Sequence, residues 1–299
     1  MYIETNIAIS SIISFSQYII NGRLITLIGE MHNKKFKCEG KYMSLNKYIE
    51  NRLVNNDKAA VFLEFNKDTD KIKDLGSQNL IKTVKSLKKK GIKIPRKNAL
   101  NNQRIKSIDH RDYFFKSYNL YADEKYFLNG DKTKIIDEFI LPYFYVKKKL
   151  IKNNRYDNDN NDDKDSYIKS LINYKTHNIS IDENIFNYLK NFYIPKMEKE
   201  FTDIYEGVVN DIIFDKSSKY ILLHKLQVLW ANFLDFYIMI EIFNMNCNYN
   251  EIIILIGDLH YTNLQKVFKH FKIEPVNIQE NYKRNSNNCI ETKIFKPFF

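Results

Sequence analysis

The sequence predicts an α/β fold: a mainly parallel sheet flanked by helices, with a large helical insertion before the last strands. Three observations carry the expectation. Short aliphatic runs recur with almost no polar interruption, as suits strands buried on both faces. Segments with apolar residues three and four apart lie between them, and such alternation of strand and helix favours parallel pairing through crossovers. With 299 residues and 44% hydrophobic content, the chain has enough apolar surface for a large core.

The first twenty residues carry the apolar stretch IAISSIISF. It reads as a helix of the mature chain, because Glu4 stands where a leader would be basic and no small-residue cleavage site follows before Asn21. The first strand is RLITLIG, 23 to 29, and a helix follows in which Leu45, Tyr48, Ile49 and Leu53 share a face behind a Ser44 cap. AAVFLEF, 59 to 65, and RIKSID, 104 to 109, are the second and third strands. The basic run 82 to 97 between them reads as a solvated helix end with a turn at Gly91.

Residues 134 to 245 form the helical insertion, interrupted at 153 to 166 by NNRYDNDNNDDKDS, whose scarcity of apolar residues predicts a disordered-like surface loop. The apolar stretch 226 to 245 contains Asn232, Asp235 and Glu241, which suits a buried helix better than a membrane span. Asp235 there needs a cation or a place in a pocket, with Arg111 or a lysine as candidate partners. EIIILIG, 251 to 257, is the fourth strand, and a helix with Leu264, Val267, Phe268 and Phe271 on one face follows Thr262. IEPVNIQ, 273 to 279, is a fifth strand, placed at an edge by Pro275. The chain is thus expected to be one domain, 1 to 299.

Composition narrows the partners. Three widely spaced cysteines make neither a disulfide framework nor a cysteine zinc site, which points to a reducing, cytoplasmic setting. The net charge of +11 raises a nucleic-acid reading, but the lysines are scattered and accompany the Asn, Ile, Tyr and Phe that an A+T-rich coding sequence favours. Nucleic acid and membrane are therefore not the expected partners; a small molecule or peptide substrate is.

The chemistry gathers after the strands, where parallel α/β sheets bind ligands. The first strand is followed by Gly29-Glu30-Met31-His32, the second ends in Glu64, the third leads to Asp109-His110-Arg111-Asp112, and the fourth to Gly257-Asp258-Leu259-His260. Three of only six histidines fall at these ends. The glycine, acid, any residue, histidine order occurs twice, after the near-identical runs LITLIG and IIILIG, and each glycine is expected to let the backbone turn sharply out of the sheet. A plainer reading remains for Glu64, which could cap a helix or pair with a lysine, and for Asp109 with Arg111 as a structural ion pair.

At these residues the chain resembles a known superfamily. LIGEMHN resembles the opening motif of the ChaN-like proteins, and the paired G-x-x-H motifs resemble the TraB and Tiki proteins, within the broad erythromycin-esterase-like superfamily. The likeness spans roughly residues 20 to 66, 104 to 115 and 250 to 272. It implies an α/β fold with a strand-end pocket. Its Tiki-type members imply a divalent-metal peptidase whose two motif histidines and intervening glutamate match His32, His260 and Glu64. Its esterase members imply a metal-free hydrolase using His32 as base with Glu30 and Glu64. The haem-binding branch implies Asp after the histidine where Asn33 stands here, so haem is not expected.

The leading expectation is hydrolysis of a peptide or ester bond. His32, Glu64 and His260 would hold a Mn²⁺-like or Zn²⁺-like ion that acidifies water. Glu30 or Asp258 would act as base or orient a histidine, Asp109 would support the site beside Arg111, and Arg111 would stabilise negative charge on the substrate. A non-catalytic small-ligand, haem or host-factor binder of the same fold is the rival from another class.

Overall fold

The computed structural model describes residues 2–10, 12–30, 43–64, 86, 89, 104–108, 129, 181–209, 216–245, 248–280 and 289–297. Two compact units emerge: Met1–Asp109 together with Cys247–Phe299, and His110–Asn246. The second unit thus begins ahead of the insertion boundary expected at residue 134.

In the first unit the expected N-terminal helix is overturned, because β1 (Tyr2–Ser10) and β2 (Ser14–Ile20) are strands. Two features of the sequence explain this. Ile3, Thr5, Ile7 and Ile9 recur at every second position, a strand period, and β-branched Ile12 and Ile13 continue the preference. Asn21 and Gly22 then adopt φ of 52° and 73°, the left-handed pair that a tight hairpin turn requires. The hairpin joins β2 antiparallel to β3 (Arg23–Glu30), with Ile20 opposite Arg23 and Ser14 opposite Gly29.

The chain continues through β4 (Met43–Ser44), α1 (Leu45–Asn55), β5 (Ala59–Leu63) and β6 (Ile105–Ser107). After the second unit come β7 (Glu251–Gly257), a helix over Asp258–His270, β8 (Asn277–Glu280) and β9 (Cys289–Pro297). Six strands form one sheet in the order β6-β5-β7-β3-β2-β8, and a separate sheet has the order β4-β1-β9. Pairing is parallel from β6 through β3 and antiparallel from β3 through β8, so the sheet is mixed. The fifth expected strand starts later than anticipated, at Asn277, and lies at the edge.

Every residue of β3, β5 and β7 is buried. Helices cover both faces. On one, Tyr48 of α1 meets Phe15 edge-on at 6.4 Å, within a cluster that includes Leu45, Ile49, Leu53, Val61 and Leu255. On the other, Phe268 meets Tyr18 at 4.6 Å, and Phe15 and Tyr18 lie an odd number of residues apart on one strand. Each large apolar side chain so buried contributes roughly 1.5–3 kcal/mol.

A buried polar clamp ties the N-terminal ends of the strands to α1. Glu251, the first residue of β7, is fully buried and accepts from Arg52 Nε at 2.8 Å, Arg52 Nη2 at 2.5 Å and Asn56 Nδ2 at 2.9 Å. Arg104 Nε donates to the Ala59 carbonyl at 3.0 Å, and its Nη2 to the carbonyls of Leu53 and Asn56. Burial, and then the Glu251 charge, push the Tyr48 phenol far above its ordinary range.

In the second unit, α2 (Glu183–Tyr188) is capped by Asp182, whose Oδ1 accepts from the Asn184 and Ile185 N–H groups at 3.0 and 3.4 Å. A π-helical segment, Leu189–Tyr193, leads into α3 (Ile194–Val209) just ahead of Pro195, which has no N–H for the preceding turn. Next comes α4 (Lys216–Phe243), which takes in most of the expected buried helix. Asn232 Nδ2 donates to Glu200 Oε2 at 2.7 Å, and burial followed by the charge of fully buried Asp235 pushes the Tyr193 phenol up. Among the described residues no helix is long and apolar enough to cross a membrane. The stretch 134–180 with its 153–166 loop, Arg111 as a partner for Asp235, and all of the basic run but Ser86 and Lys89 lie outside the described residues.

Removing one partner of a buried ion pair strands the other, so Arg52→Ala is expected to cost about 3–5 kcal/mol of stability. Urea unfolding checks it, and an unchanged midpoint would contradict the clamp.

Candidate active site

The site is built by strand register. Glu30 at the end of β3 stands opposite Gly257 at the end of β7, and Leu63 at the end of β5 stands opposite Leu255. The Glu64 N–H extends that pairing by donating to the Leu255 carbonyl at 3.0 Å. Three neighbouring strands therefore deliver Glu30, Glu64 and the Gly257-Asp258-Leu259-His260 segment to one edge of the sheet.

The helix after β7, α5 (Asp258–His270), starts five residues earlier than a Thr262 cap led us to expect. Gly257 takes the cap position in extended backbone, φ −65° and ψ 153°. Thr262 lies inside the helix and donates its hydroxyl back to the Asp258 carbonyl at 3.0 Å. Asp258 and His260 are consequently first-turn helical residues, held by a rigid element instead of a loop.

Glu64 links the strand ends. Its Oε2 accepts from the Gly257 N–H at 2.8 Å, and its Oε1 lies 3.6 Å from His260 Nε2. A helix start leaves N–H groups without intrahelical partners and favours negative charge, so one oxygen of Glu64 caps α5 from a different strand. That part of the plainer reading of Glu64 is correct, yet it leaves Oε1 to face the imidazole. Only 7% of Glu64, 8% of His260 and 2% of Glu30 is exposed, so each of these groups lies where water screens little.

The 3.6 Å separation is too long for a hydrogen bond. Two donors bonded at about 2.1 Å to one tetrahedral ion would stand roughly 3.4 Å apart, so the pair fits a shared divalent cation. Among the described residues no group of three His, Cys, Asp or Glu is disposed around one such point. His32, the expected third ligand, lies outside the described residues, as do Asp109, His110 and Arg111. Ile108, just before them, donates its N–H to the Leu63 carbonyl at 2.9 Å.

Asp258 is held from the opposite side of β3. Ser14 Oγ donates to Asp258 Oδ1 at 2.7 Å, across the backbone of Gly29. This revises the expected role of the motif glycines. Gly29 lies within β3 and makes no turn, and among the described glycines only Gly22 has a positive φ. What Gly29 needs is the absence of a side chain: a Cβ there would lie 1.9 Å from Ser14 Oγ and 3.0 Å from Asp258 Oδ1. Sequence reasoning passed over Ser14, whose one signal is a polar residue inside a strand of buried neighbours. His224 and His270 are both exposed on helices.

No family model matches the chain, and no curated protein or solved structure matches it either.

The close approach at Gly29 has a measurable consequence. Gly29→Ala should lower stability by about 1–3 kcal/mol through overpacking, and adding Ser14→Ala should recover most of the loss by removing the oxygen that collides. Thermal unfolding of the two variants decides it; equal stability of Gly29→Ala and the parent would refute the contact.

Proposed function

We propose that the chain is a hydrolase that cleaves a peptide or ester bond at this strand-end group with the help of a divalent ion. The observation that carries the reading is the buried pair of His260 Nε2 and Glu64 Oε1, 3.6 Å apart, with Glu64 braced through its other oxygen by the Gly257 N–H. An acid held by one oxygen cannot swing away, so its second oxygen and the imidazole form a preorganised two-donor face.

In this reading His260 and Glu64 would hold the ion, and His32 of the first motif is the candidate third donor. Such an ion would supply acidification of a water and polarisation of the substrate carbonyl. A neighbouring carboxylate, Glu30 or Asp258, takes the proton from that water. Burial of Glu30 and Glu64 strengthens each of these charge interactions. The sequence adds Arg111 as the positive charge for the substrate oxygen as it becomes negative, with Asp109 as a further candidate. The three widely spaced cysteines support a reducing, cytoplasmic setting for this chemistry.

The purified chain, assayed with p-nitrophenyl acetate and a fluorogenic peptide, should turn over at least one of them. EDTA should abolish the rate, and Mn²⁺ or Zn²⁺ should restore it. Glu64→Gln, His260→Ala and His32→Ala should each lower kcat by about 10²–10⁴-fold while unfolding cooperatively. Full activity in the His260 and Glu64 variants would remove the proposal, and a rate indifferent to EDTA would remove the ion from it.

A further inference from the structure

We infer that Ser14 is a positioning residue that aims Asp258, and that Asp258 is therefore the carboxylate that takes the proton from the attacking water. The inference rests on the hydrolase reading and deepens it by choosing between the two acids.

The geometry comes from three elements. Ser14 opens β2 and is paired with Gly29, whose carbonyl accepts from the Ile13 N–H at 3.0 Å. Gly29 is the residue before Glu30, and Asp258 is the first residue of α5. The Ser14 hydroxyl reaches Asp258 across Gly29, which has no side chain, at 2.7 Å. Ser14 is fully buried, and Asp258 is half-buried.

Both members of this arrangement are poor choices for a strand. Glycine in a strand interior loses packing and conformational entropy, and a buried hydroxyl is costly unless it is bonded. Two such choices stand directly opposite each other, in a strand that also buries Ser16 and Gln17. Local rules are broken together in this way where a site needs it, and what the pair achieves is to fix one carboxylate at the first residue of α5, two residues ahead of His260.

The bond also assigns the oxygens. Oδ1 of Asp258 is engaged by the hydroxyl, so Oδ2 is the oxygen left to receive a proton. In the step, the water oxygen forms a bond to the carbonyl carbon while its proton passes to Asp258 Oδ2. That proton then moves to the leaving amine or alkoxide as the bond from carbon to nitrogen or oxygen breaks. Water is consumed and no oxidant or reductant is needed. Glu30, almost wholly buried in line with Gly257, remains a spectator of this transfer.

A double-mutant cycle on the Mn²⁺-loaded chain, with p-nitrophenyl acetate and the fluorogenic peptide as probes, tests the inference. Asp258→Asn should lower kcat by about 100-fold or more and Ser14→Ala by about tenfold, with KM within about twofold in both. The double variant should be no slower than Asp258→Asn alone, because Ser14 acts only through that carboxylate. A merely structural serine would give additive losses, which would overturn the inference, as would an unchanged kcat in Ser14→Ala. Ser14→Cys, which keeps the volume but donates weakly, gives the same decision if the alanine variant misfolds. Loss of activity in Glu30→Gln with Asp258→Asn intact overturns the inference and leaves the hydrolase reading standing. Activity untouched by Glu64→Gln and His260→Ala, or absent from the parent chain, overturns both.

Discussion

The constraint on which this molecule depends is the in-register parallel pairing of β5, β7 and β3. Side chains alternate along a strand, so a slip of one residue would send every buried side chain of β7 to the wrong face of the sheet. The same slip would move Gly257 by about 3.3 Å along Glu30 and break its bond to Glu64. Core packing and the candidate site are therefore set by one geometric fact. Hydrophobic burial in three fully buried strands enforces it, and the polar groups at their ends inherit the result.

The two ends of those strands treat charge differently. At the N-terminal edge, Glu251 accepts three hydrogen bonds from Arg52 and Asn56 at 2.5–2.9 Å, which engage both of its oxygens. At the C-terminal edge, Glu64 is held through one oxygen and its other stands 3.6 Å from an imidazole. Both are buried carboxylates on the same parallel block. The first is closed by covalently distant but rigid donors on α1; the second keeps an oxygen and a nitrogen facing each other at a separation that an ion or water can bridge. The structural clamp and the proposed site thus lie at opposite ends of the same strands.

The two glycines of the repeated motif show how alike segments acquire unlike duties. Gly29 is needed for what it lacks, since a side chain there would occupy the path from Ser14 to Asp258. Gly257 contributes its N–H, which reaches across β7 to Glu64 while its backbone opens α5. The two motif glycines lie one register position apart, Gly29 beside Ile256 and Gly257 beside Glu30, and each meets different neighbours: β2 flanks β3, whereas β5 flanks β7.

Much of this was legible in the amino-acid order. The aliphatic runs ending at Gly29, Leu63 and Gly257 identify central parallel strands because only strands covered on both faces tolerate so little polarity, and the acids and histidines after them are conspicuous for the same reason. The period of Ile3, Thr5, Ile7 and Ile9 and the Asn21-Gly22 turn were equally present, but a continuous apolar stretch such as IAISSIISF suits a buried helix as well as a strand. Local order therefore determined which segments are buried and which polar residues close the central strands. Only the tertiary structure decided that Ser14 meets Asp258, that Glu64 divides its oxygens between Gly257 and His260, and that Gly29 serves a close approach and not a turn. Those contacts join residues far apart in the chain, at 2.7 Å across 244 positions for Ser14 and Asp258, and such pairs are specified by strand order and register, which no local pattern encodes.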